Sequence, residues 1–158
     1  MEKVRTPCIG ICSTTSVGDS ICRGCKRYAF EVINWNSYDD EQKLAVLNRI
    51  EKLNTQIIEN KLRIVAELNL RKGLKFWKVP FDESRSPYCW LHNLLKRCNQ
   101  NIEDLEEYGV TKRSEYRHLS LSAISELIDQ EILTLCEAHF SRYMIEPNLA
   151  PDSLVESG

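Results

Sequence analysis

No run of about 18 consecutive apolar residues occurs in this chain, so a membrane-spanning helix is not expected. The first residues, Met1 to Pro7, lack the apolar core of a secretory signal peptide, which makes the cytoplasm the expected location. Neither sign of charge dominates. The 21 Lys and Arg against 23 Asp and Glu leave a formal net charge of −2, which argues against a surface built as a whole for nucleic acid. A Gly-rich phosphate loop, an HExxH helix and a GxSxG elbow are all missing, and with them the usual signatures of several enzyme classes. His92, His118 and His139 remain as isolated candidate bases, but a lone histidine on a helix more often serves structure or faces solvent. Internal repeats and low-complexity tracts are absent too.

What the chain does have is cysteine, seven in all, an odd number that rules out complete internal pairing. Four lie close together as Cys8-Ile-Gly-Ile-Cys12 and Cys22-Arg-Gly-Cys25. Each close pair offers two thiolates from one tight turn, and the loop between the pairs lets them complete a tetrahedron. In a reducing compartment such a cluster reads as metal ligands rather than a disulfide framework. Gly10, Gly18 and Gly24 suit a loop-rich module, with Gly24 the expected site of unusual backbone dihedrals that turn amides toward the thiolates. Arg23, Lys26 and Arg27 surround the second pair, where they either offset thiolate charge or are simply solvated.

The same segment resembles a known family. Pro7-Cys8-Ile9-Gly10-Ile11-Cys12, Cys22-Arg23-Gly24-Cys25-Lys26-Arg27, Trp35 and the run Asp39 to Leu47 are similar to the YdhL-like bacterial family of unknown function, whose members are predicted iron-sulfur proteins. Tyr38 departs from that family's pattern, which has Met or a similar apolar residue before the acidic helix start. The resemblance covers Pro7 to about Glu51, less than a third of the chain, and implies an iron-sulfur cluster on the four cysteines. The ligand set itself suits zinc as well as iron-sulfur, so the cofactor stays open between the two. A thioredoxin-like dithiol at Cys22 and Cys25 would need a βαβ context that this helical pattern does not supply.

The remaining chain reads as helical. Tyr28, Phe30, Ile33 and Trp35 predict a short helix or turn that docks the module. Asp39 and Gln42 form a capping-box pair that starts a helix near Asp40. With no Gly or Pro before Gly73, the stripe Val46, Ile50, Leu53, Ile57, Ile64 and Leu68 predicts one long helix or two joined near Asn54 and Thr55. Asn60 falls in an apolar slot of that stripe, and its burial would point to a dimer. Gly73, Pro80 and Pro87 are expected to break the pattern. Pro87 opens a helix to about Asn99, a short acidic helix from Asn101 to Tyr108 stops at Gly109, and Ser120 or Ser122 caps a final helix to about Met144. Ile124, Leu127, Ile128, Ile132, Leu135 and Phe140 form its expected inner side. The tail after Pro147 is small and polar, and disorder is expected there.

Two further constellations stand out. Residues 61–78 hold Lys61, Arg63, Arg71, Lys72, Lys75 and Lys78 against Glu67 alone, whereas 99–107 carry Glu103, Asp104, Glu106 and Glu107. Arg71, Lys72, Lys75, Phe76, Trp77 and Lys78 interleave cations with rings, the composition that grips single-stranded nucleic acid. A connector whose rings pin it to the core has the same composition, and is the favoured reading. Cys89 with His92 and Cys136 with His139 are each spaced by three on expected helices, giving a candidate second metal site if those helices pack side by side.

The chain is therefore expected to be all-α, with a metal module over residues 1–36, a helical body over 37–146 and a tail over 147–158. Its leading function is that of a non-enzymatic metal-binding adaptor or regulator acting on a protein partner. A redox protein that uses a cluster for electron transfer or oxidant sensing is the first alternative, and a single-stranded nucleic-acid-binding module the second.

Overall fold

A computed structural model of the chain describes residues 18–144, together with Val4, Thr6, Pro7 and Thr14. Cys8, Cys12 and the tail 147–158 lie outside the described residues. Helices dominate: α1 (Ala29–Asn34), α2 (Asp40–Glu59), α3 (Glu67–Phe76), α4 (Pro87–Cys98) and α5 (Leu121–Met144). Strands β1 (Leu62–Ile64) and β2 (Val110–Lys112) form a two-stranded antiparallel sheet with Leu62 opposite Lys112 and Ile64 opposite Val110. The all-α expectation is corrected by this sheet. Among the described residues no helix is long and apolar enough to cross a membrane. The chain forms two compact units, one of residues 1–47 and 132–158, the other of 48–131.

In the second unit, the outer part of α2 buries Ile50, Leu53 and Ile57, as the helical stripe requires. The helix ends at Glu59, and Asn60 beyond it is exposed, which removes the expected hint of a dimer. At Leu62 the burial pattern changes from helical to alternating. The partner strand is brought back by a 3-10 turn, Leu105–Tyr108, which ends at Gly109 in the left-handed region (φ 70°). The Gly109 carbonyl accepts from the amides of Val65 (2.8 Å) and Ala66 (3.1 Å).

Helix α3 runs straight through Gly73, where the sequence pattern predicts a break. A Cβ at this position would overlap the Tyr108 ring, so the glycine serves side-chain packing rather than helix termination. Pro87 opens α4 as expected, with the Ser86 hydroxyl accepting from the Tyr88 amide (3.2 Å). Ser120 caps α5 by accepting from Ala123 N (3.1 Å). The buried row of α5 is Ile124, Ile128, Ile132 and Cys136, while Leu135, expected inside, is 37% exposed.

In the first unit the capping box at the start of α2 is complete. Asp39 Oδ1 accepts from Gln42 N (2.8 Å), and Gln42 Oε1 accepts from Asp39 N (3.0 Å). The core of this unit gathers Ile21, Tyr28, Trp35, Val46, Ile132 and Cys136. Tyr28 meets Phe140 edge-on, with ring centroids 5.3 Å apart. Phe30 and Ile33, on the other face of α1, are exposed.

Candidate metal centre

Residues 20–29 fold back on themselves as a knuckle. Ile21 and Tyr28 form an antiparallel bridge, Ala29 N donates to Ser20 O (2.8 Å), and Cys22 N donates to Arg27 O (2.9 Å). Inside this frame Lys26 N donates to Cys22 O (2.7 Å) and closes a tight turn carrying Cys22 and Cys25. The left-handed residue of the knuckle is Lys26 (φ 67°) rather than the expected Gly24. Its ammonium donates to the Arg23 carbonyl, one contact that accompanies this conformation.

Both cysteines are buried. Burial pushes the Cys25 thiol up, and the Arg27 hydrogen bond and charge pull it back only in part; the nearby Cys22 adds to the upward push. Arg27 Nε donates to Cys25 Sγ at 3.3 Å, so the site already contains a donor aimed at the sulfur. Arg27 is 3% exposed and Lys26 2%, whereas Arg23 is exposed and pairs with Asp19 (3.2 Å). The Arg27 guanidinium lies 5.0 Å from the centre of the Trp35 ring, and the Lys43 ammonium lies 5.7 Å from it. Glu31, also buried, accepts from Tyr28 N (2.8 Å).

These residues fit a thiolate-bound metal. Two thiols presented from one turn, with cations buried beside them, are what anionic sulfur ligands require in a poorly solvated site. Cys8 and Cys12, the other two expected ligands, lie outside the described residues. Among the described residues no group of three or more His, Cys, Asp or Glu side chains is gathered to hold an ion. Glu31 and Lys43 were not singled out from the sequence. The spacing of Glu31 three residues after Tyr28 is a capping-type signal that points to the former, but nothing local marks Lys43.

The other expected site residues are distributed as follows. Cys89 and His92 lie on α4 in the second unit, with Cys89 half-buried and His92 buried. Loss of solvent, with the charge of Glu51 second, pushes the Cys89 thiol up to about 11. Cys136 and His139 belong to the first unit; Cys136 is buried and His139 is exposed. The two members of each pair therefore share a helix without sharing one environment in the second case.

The basic aromatic segment occupies α3 and the turn after it. Arg71 is engaged within its unit, bonding Glu83 (2.5 Å) and Glu67 (3.3 Å) and stacking 4.7 Å from the Trp90 ring centre. Trp77 is half-buried and donates through Nε1 to the Tyr108 hydroxyl (2.9 Å). Lys72, Lys75 and Lys78 are exposed, and Phe76 is 72% exposed. Phe76, Lys72, Gly73 and Asn69 face Tyr108 and Glu107 across an open cleft of about 440 Å³.

Comparison with known proteins places these findings. The protein family of unknown function DUF1289 matches residues 6–54, the span that contains the knuckle, Trp35 and the start of α2. The uncharacterized protein YdhL of Escherichia coli O6:H1 is 41% identical over 61 residues, which is 39% of this chain and 70% of that protein. The uncharacterized YdhL of Shigella flexneri is 42% identical over 60 residues, 38% of this chain and 68% of that protein. No solved structure matches the chain.

Proposed function

The chain belongs to the YdhL-like family of unknown function, and on that premise we propose that it is a non-enzymatic metal-binding adaptor or regulatory protein, with zinc or an iron-sulfur cluster on Cys8, Cys12, Cys22 and Cys25. The observation that carries this reading is the knuckle: Cys22 and Cys25 buried in one turn, with the Arg27 Nε–H directed at Cys25 Sγ. When bound, the metal supplies a cross-link between the two cysteine pairs and so fixes the shape of the loop they bracket.

Four protein ligands close the coordination sphere and leave no position for substrate. A closed sphere favours a structural role, or electron transfer, over direct metal catalysis. This chain's own residues then do the rest. Trp35 seats Arg27 and Lys43, Arg27 faces the sulfur, and the Ile21–Tyr28 bridge closes the knuckle at the buried Tyr28, whose ring meets Phe140 edge-on. A partner protein would read the loop surface so fixed.

Elemental analysis of the four single Cys→Ser variants tests the ligand set, with each expected to lose most of its metal. Full metal content in two of the four would overturn the four-ligand reading. The absorption spectrum of protein purified without oxygen separates the cofactors: a brown sample with sulfur-to-iron charge-transfer bands supports the cluster and the redox alternative, whereas a colourless zinc protein supports the structural adaptor.

A further inference from the structure

Among the described residues of the first unit four charged side chains are buried: the cationic Lys26, Arg27 and Lys43 and the carboxylate Glu31. Taking ions out of water costs several kcal/mol each unless opposite charge is close by. Among the described residues the buried cations thus exceed the buried carboxylates by two. A tetrathiolate site holding a divalent zinc carries two net negative charges, as does a four-thiolate iron-sulfur cluster whose core carries two positive charges. The excess on the protein side has the sign that such a centre calls for.

The arrangement is also directional. Arg27 reaches sulfur directly, its Nε donating to Cys25 Sγ at 3.3 Å. Its guanidinium is held in place by the Trp35 ring at 5.0 Å, and Lys43 approaches the same ring at 5.7 Å without a bond to either cysteine. The chain thus separates two tasks, hydrogen bonding to the ligand sulfur and supply of charge.

We propose that Arg27 is a positioning residue of the metal centre, which orients and neutralises the Cys25 thiolate, and that Lys26 and Lys43 add buried counter-charge to that anionic centre. The inference rests on the reading of Cys8, Cys12, Cys22 and Cys25 as metal ligands. It assigns to residues outside the ligand set a role in retaining the metal.

The test uses the full chain loaded with Zn²⁺ and follows release of the ion to pyridylazoresorcinol, a chromogenic chelator. Outer contacts of this kind are typically worth about 10- to 100-fold in metal affinity. R27Q is expected to release zinc at least ~10-fold faster than the parent. R27K, which keeps the charge, is expected to recover part of that loss. K43Q, which removes charge without removing a sulfur contact, is expected to fall between the parent and R27Q. Circular dichroism of each variant reports folding; should R27Q not fold, R27K and K43Q carry the comparison, and a parental release rate in both overturns the proposal. Equal acceleration in R27K and R27Q would assign Arg27 to packing on Trp35 alone and also overturns it. Failure of the parent chain to retain any Zn²⁺ or iron would instead overturn the metal reading on which the inference stands, an outcome distinct from normal retention by the variants.

Discussion

Cys89 sits half-buried on α4 with its thiol pushed up to about 11, first by loss of solvent and then by the charge of Glu51, against a hydrogen bond with Thr55. A pKa raised on folding means that the folded state prefers the neutral thiol. The stability this preference contributes is present in full below the unfolded thiol's value of 9.0 and disappears as pH rises through about 11. The unfolding free energy of the parent, measured relative to Cys89→Ala, is therefore expected to fall by on the order of 2 kcal/mol between about pH 8 and about pH 11.5. Urea titrations of both proteins at the two pH values check this. Gly73 gives a prediction of opposite sign to the general rule. An exposed glycine inside a helix gains roughly 1 kcal/mol on change to alanine, but here the new Cβ meets the Tyr108 ring. Gly73→Ala is expected to cost about 1–3 kcal/mol and lower the melting temperature. Composition alone marks Gly73 as a breaker; its real reason, a ring from 35 residues further along the chain, has no local trace.

At the scale of elements, what was legible was whatever a few neighbouring residues decide. The Asp39–Gln42 box, the Pro87 start and the Ser120 cap, one of the two serines offered, are local chemistry, and all three occur where the sequence predicts them. The strands β1 and β2 are three residues each and lie 46 positions apart at Ile64 and Val110, too short for a period of two to register and too distant for a turn signal. How many cations of residues 61–78 face solvent is hidden from the sequence for a related reason. Counting cations cannot reveal that Lys61 is buried against Glu131 and beneath Tyr116, or that Arg71 is spent on Glu67, Glu83 and Trp90. That leaves Lys72, Lys75 and Lys78 as the exposed cations of the basic aromatic segment, beside one well-exposed ring, Phe76. With about three phosphate contacts on offer, binding of a short oligothymidylate is expected to be weak at low salt and lost near ~0.15 M. Titration followed by Trp77 fluorescence measures it, and tight binding that persists at that salt would move the nucleic-acid reading to first place. In the candidate metal centre the division is the same. Cysteine spacing points to the knuckle at once, whereas burial of Arg27 and Lys43 depends on the Trp35 ring meeting both of them in space.

For the molecule as a whole, the two units differ in what supports them. The second unit carries a continuous apolar interior that includes Leu62, Leu74, Trp90, Leu94 and Ile128, all nearly or fully buried, and ties its elements together through Arg85 to Glu51 (2.9 Å) and Glu51 to Ser86 N (2.8 Å). The first unit places charged Lys26, Arg27, Glu31 and Lys43 among its buried side chains, together with Cys22, Cys25 and Cys136. Buried charge makes a poor substitute for apolar packing unless its counter-charge is in place, so on the metal-binding reading proposed above the first unit is the one whose order is expected to depend on the metal. Removing the metal by chelation is expected to expose amides of residues 20–35 to fast hydrogen exchange. Amides of Ile50–Ile58 and Trp90–Leu95 should keep their protection, and the helical circular dichroism signal should largely persist. Hydrogen exchange read by peptide mass spectrometry on loaded and chelated protein distinguishes the two regions directly. Loss of protection in both at the same chelator concentration would show that the metal supports the second unit as well, and the energetic independence argued from its apolar core would be abandoned.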